Sequence, residues 1–155
     1  MNCRPVGPIA YLSRLALLVV ILTTAGCGAP ELELLPTGGR ILAFGDSLTY
    51  GVGTTRENSY PAVLSELTGL EVINAGVSGE TTAGGLARLE RVLDESQANL
   101  MILLEGGNDI LKNRNQAETK ANLAAMIGMA KARDIPVVLL GVPEKKLFSS
   151  AAPLY

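Results

Sequence analysis

With 155 residues, a formal charge of −2 and 48% hydrophobic residues, the chain has the material for one packed domain and not the composition of a disordered one. Basic residues are scattered rather than clustered, which excludes an electrostatic footprint for nucleic acid or another polyanion. The chain contains two cysteines and no histidine, so a disulfide framework and imidazole chemistry are both without their residues.

In chain order, the first segment differs from the rest. Arg4 and Arg14 precede the run "LALLVVILTTAGC", and no charge falls between Leu15 and Pro30. As a helix that stretch spans about 24 Å at 1.5 Å per residue, short for a hydrocarbon core of about 30 Å. A basic start, a modest apolar core and small residues describe a secretory signal. Cys27 after "TAG" resembles the lipidated cysteine of a bacterial lipobox, although Thr24 stands where leucine is usual. Residues 1–26 are therefore expected to be a lipoprotein-type signal peptide and residues 27–39 a tether. The globular domain is expected over 40–155. Such a chain is exported and held by its N-terminal lipid to a membrane, facing the periplasm or cell exterior. An ordinary signal peptide with a chance cysteine is the plainer alternative.

From Arg40 onward, apolar runs alternate with helical spacing. "RILAF", "LEVINAG", "NLMILLEGG" and "IPVVLLGVP" are bounded by Gly, Asn or Pro, as buried parallel strands are. Between them, Leu86, Leu89 and Leu93 recur at helical spacing, as do Leu123, Met126 and Ala130. A shorter helix over Ala62–Leu67 presents Val63, Leu64 and Leu67, with Pro61 suited to its first turn. The order β-α-β-α-β-α-β implies an α/β fold with helices on both faces of a parallel sheet.

Polar, Gly-rich pieces follow every strand: "GDSLTYG", "NAGVSGET", "GGND" and "GVPEKK". In an open parallel sheet these carboxyl ends share one edge, where ligands bind. Singly, each piece has a bland explanation. Asp46, Ser47 or Thr49 caps a helix, Gly79 supplies a positive φ, and Asn108 and Asp109 form a turn. Jointly they compose a kit for acyl transfer, a nucleophile with donors aimed at a developing oxyanion. The donors would be the Ser47 N–H, the Gly79 N–H and the Asn108 side chain. Asp46, Glu80, Glu105 and Asp109 offer the competing reading, a Mg²⁺ site for phosphoryl transfer.

These blocks, with "GLARL" at 85–89, resemble in order and spacing the SGNH hydrolase (GDSL esterase) family, most of all its thioesterase I/lysophospholipase L1/arylesterase branch. The resemblance covers about Arg40 to Tyr155. It implies a three-layer α/β/α sandwich with flavodoxin-like strand order. Ser47 would be the nucleophile, and Ser47, Gly79 and Asn108 the oxyanion hole. The implied reaction is hydrolysis of small or lipid-like acyl esters and thioesters, without cofactor or metal.

One departure stands out. The family's last block is a D-x-x-H that supplies the general base and the carboxylate orienting it, and no residue here takes the histidine's place; neither Asp109 nor Asp134 has a histidine three residues on. The expectation is a chain truncated before that block, with negligible turnover as it stands. The alternatives are a non-catalytic protein binding acyl ligands, and a Ser–Lys dyad using Lys112 or Lys145. A lysine serving as base must be desolvated, and both have polar neighbours.

Overall fold

The computed structural model describes residues 34–142, so the expected signal peptide, Cys27, Lys145 and the last segment lie outside the described residues. The elements run β1 (Arg40–Gly45), α1 (Ser47–Tyr50), a short 3₁₀ turn, α2 (Tyr60–Thr68), β2 (Glu71–Gly76), α3 (Thr82–Ser96), β3 (Leu100–Leu104), α4 (Gly107–Leu111), α5 (Gln116–Lys131) and β4 (Val137–Leu139). Among the described residues no helix is long and apolar enough to cross a membrane.

All pairings are parallel, and the sheet order is β2-β1-β3-β4. The chain thus moves outward from β1 in one direction, then returns past it in the other. Right-handed crossovers place α2 on one face and α3 and α5 on the opposite face. The reversal lies between β1 and β3, the topological switch point where a crevice opens at the carboxyl ends. Four strands with helices on the two faces are the α/β architecture expected from the alternation.

The core sits on the α3/α5 face. Leu42 and Phe44 of β1 and Met101 and Leu103 of β3 meet Leu89 and Leu93 of α3 and Met126 and Ala130 of α5, all buried. The helical spacing read from the sequence therefore marks the inward stripes of both helices. The shorter helix departs from expectation. Leu67 is 80% and Val63 40% exposed, and Pro61 is the buried residue of α2. This helix lies against edge strand β2, which gives it little surface to cover.

Two glycines set the opposite face. A Cβ on Gly76 would run into the backbone of Thr49 and Tyr50, and one on Gly45 into the Thr49 hydroxyl and the Leu104 carbonyl. Bare strand ends thus let α1 settle onto the carboxyl edge of β1 and β2.

Candidate active site

Beyond Gly45, β1 keeps its hold on β3 for one more residue, as the Asp46 N–H donates to the Leu104 carbonyl at 3.2 Å. The Asp46 carboxylate then accepts from the Leu48 N–H at 3.0 Å and caps α1. Of the three capping candidates, Asp46 is the cap. That leaves Ser47 as the first residue of the helix, half-buried, where the leading N–H groups have no acceptor within the helix. Gly51, at φ +104, ends the turn.

The second block is drawn inward by the Val77 N–H, which donates to the Gly45 carbonyl at 2.9 Å. Gly79 follows at φ +76 with no atom near its missing side chain, so both its conformation and its openness suit glycine. Its carbonyl accepts from Lys112 Nζ at 2.8 Å. Lys112, expected at most as a substitute base, is instead a tie between α4 and the Gly79 loop.

The third block starts at Gly106, which caps α4 at φ +108. Asn108 Nδ2 lies 3.4 Å from Asp46 Oδ2. Gly107 permits this approach, since a Cβ there would stand 3.2 Å from the same oxygen. An amide distant by 62 positions is therefore seated next to the residue preceding Ser47. That contact engages one of its two amide hydrogens.

Several residues of consequence were missed or misjudged in the sequence. Asp109, buried, accepts from the Thr82 N–H at 2.8 Å and the Thr82 hydroxyl at 2.7 Å, pinning the start of α3 to α4. Thr119 of α5 adds a bond to it at 3.3 Å. Glu80 is gripped by the Nε/Nη2 edge of the Arg88 guanidinium. Glu105 is 2% exposed, and neither carboxylate oxygen has a hydrogen-bond partner among the described residues. Burial, reinforced by the Glu80 and Asp46 carboxylates, pushes its pKa up to about 8, so it is neutral at pH 7. Burial likewise raises Asp46, against the opposing Leu48 N–H.

The acidic residues weighed as Mg²⁺ ligands are thus largely engaged elsewhere: Glu80 by Arg88, Asp109 by Thr82, and Asp46 by Leu48 and Asn108. Among the described residues no three of them come together as a metal-binding group. A shared partner for Arg88 was legible only as the "GLARL" match; nothing in local spacing announces which carboxylate it meets.

Comparison with known proteins adds an independent line. A model of the GDSL-like lipase/acylhydrolase family matches residues 43–153. The chain is 37% identical over 107 residues to esterase TesA of Pseudomonas aeruginosa, across 66% of this chain and 53% of that protein. It is 33% identical over 108 residues to an arylesterase of Vibrio mimicus, across 66% and 54%. To thioesterase 1/protease 1/lysophospholipase L1 of Escherichia coli K12 the identity is 31% over 104 residues, across 66% and 50%. Among solved structures, the SGNH-hydrolase family esterase AlinE4 superposes with a TM-score of 0.65 at 39% identity, over 74% of this chain and 63% of that one. The chain spans about half the length of the curated relatives it matches.

Proposed function

The chain belongs to the GDSL-like lipase/acylhydrolase family, and from that premise we propose that it carries the nucleophile and oxyanion donors of a serine esterase or thioesterase. Ser47 Oγ attacks an acyl carbonyl while its proton passes to a base. The tetrahedral oxyanion is held by the N–H groups of Ser47 and Gly79 and by Asn108 Nδ2. Collapse expels an alcohol or thiol, which takes up the proton, and water then releases the acid from the acyl-serine. The names of the relatives support aryl esters, acyl thioesters and lysophospholipids as substrates.

One observation carries this reading: the Asn108 amide reaches Asp46, the neighbour of Ser47. A donor so placed typically contributes about 3 kcal/mol to transition-state stabilisation. The Ser47 proton has no imidazole to receive it, because the 155 residues contain no histidine. A serine hydroxyl without a base is a poor nucleophile, so these residues alone should turn over aryl esters no faster than Ser47→Ala.

Imidazole supplied in solution tests the proposal. With it, a fluorophosphonate should modify Ser47: an oxygen–phosphorus bond forms, fluoride leaves, and imidazole takes the proton. Intact-mass and peptide spectra should show the adduct, absent in Ser47→Ala and at least ten-fold slower in Asn108→Ala. An adduct rate identical in all three proteins would favour the non-catalytic, ligand-binding reading. Anchoring through lipidated Cys27 is a second part of the proposal, supported by the basic and apolar leader before it. Cys27→Ala should move the expressed protein from the membrane fraction to the soluble one; an unchanged distribution would dismiss the anchor.

A further inference from the structure

Arg88 reaches two of the three motif blocks, those that follow β1 and β2. From α3, its Nε donates to both Glu80 oxygens at 2.9 Å, and Nη2 donates to the Ala75 carbonyl at 2.9 Å and the Gly45 carbonyl at 3.4 Å. The guanidinium also stacks 4.0 Å from the centre of the Phe44 ring. Each partner sits beside one part of the site. Glu80 follows Gly79, Gly45 leads into Asp46 and Ser47, and Ala75 lies at the end of β2. Glu105, which precedes the Asn108 block, is a further buried carboxyl beside α3: a Cβ on Gly85 would stand 3.2 Å from its Oε1 and 3.3 Å from the Phe44 ring.

A simple ion pair would need only Glu80. Here the guanidinium spends further donors on carbonyls at the last turn of two strands, where the ladder between them ends. The planar fork meets the carboxylate and the two carbonyls from separate nitrogens; an ammonium would have to do so from a single point. Glu105 adds a second carboxyl to a nearly sealed space holding one cation, an arrangement tolerable when one of the two acids is neutral.

We infer that Arg88 is a positioning residue which, with Glu80, fixes the Ser47 turn and the Gly79 loop relative to one another. The inference rests on reading Ser47 and Gly79 as parts of one acyl-transfer site, but its physical content, a shared clamp, is measurable without turnover.

Amide hydrogen exchange on the full chain compares wild type with Arg88→Met and Arg88→Lys. In Arg88→Met, amides over 45–52 and 76–81 should exchange at least ten-fold faster, with those of β3 unchanged. Arg88→Lys should fall between, since it retains the charge and loses the span. Ser47 adduct formation with imidazole and a fluorophosphonate should slow at least ten-fold in Arg88→Met. If Arg88→Met does not fold, Glu80→Gln is read in the same way. Uniform acceleration across the chain, or none, overturns the clamp, as does an adduct rate equal to wild type. A wild-type protein that forms no adduct while showing the local exchange pattern would count against the hydrolase reading and leave the clamp standing.

Discussion

The two ends of the same strands are built from opposite materials. On the α3/α5 face, β1 presents Leu42 and Phe44 and β3 presents Met101 and Leu103, while the residues that immediately follow the two strands are the buried acids Asp46 and Glu105. The buried column is apolar for most of its length and turns acidic at the carboxyl edge. Toward the amino ends, burial of hydrocarbon at about 25 cal/mol per Å² holds the layers together. At the carboxyl ends burial continues, but it encloses Asp46, Glu105 and Asp109, groups whose desolvation opposes folding unless each is paired or neutral. The rim of the sheet is therefore built on a different balance from the core, and the two regions should respond differently to substitution.

The largest effect should come from the apolar end. Leu42 is fully buried in the core on the α3/α5 face, and Leu42→Ala should cost about 3–5 kcal/mol, read as a lower urea midpoint with an unchanged slope. A loss below 1 kcal/mol would erase the distinction between the regions. Next is the seam where α1 meets the strands. Gly76→Ala puts a methyl into the backbone of Thr49 and Tyr50, and overpacking of this kind costs about 2–3 kcal/mol. Its exchange signature should be confined to residues around 45–52.

Conditional on pH, and opposite in sign, is the effect at the rim. The Glu105 carboxyl ordinarily titrates at 4.5 and is pushed to about 8 in the fold. Between those values the folded chain keeps a proton that the unfolded chain has lost. The stability this provides is complete below pH 4.5 and is lost as pH rises through 8. Glu105→Gln removes that dependence, so it should stabilise the protein at pH 9 and have little effect at pH 4.5. Denaturation midpoints across that range check it; a difference independent of pH would mean Glu105 is ionised throughout.

Much of this molecule was readable in one dimension. Apolar runs of five or six residues marked the strands, the recurrence of Leu86, Leu89 and Leu93 marked a buried helix stripe, and three short blocks marked Ser47, Gly79 and Asn108. These are local signals, because period and turn chemistry depend on neighbours in sequence. Exposure of Leu67 was not readable, since it follows from α2 lying beside an edge strand.

What only the folded arrangement decided is which distant groups meet: Asn108 with Asp46, Asp109 with Thr82, Lys112 with the Gly79 carbonyl, and Arg88 with Glu80 and two strand carbonyls. The sequence alone determined the strands, the helices and the polar blocks that follow them, through periodicity and turn residues. Strand order 2-1-3-4 decided their partners, because it places the ends of β1 and β3 side by side, and no spacing along the chain encodes that neighbour.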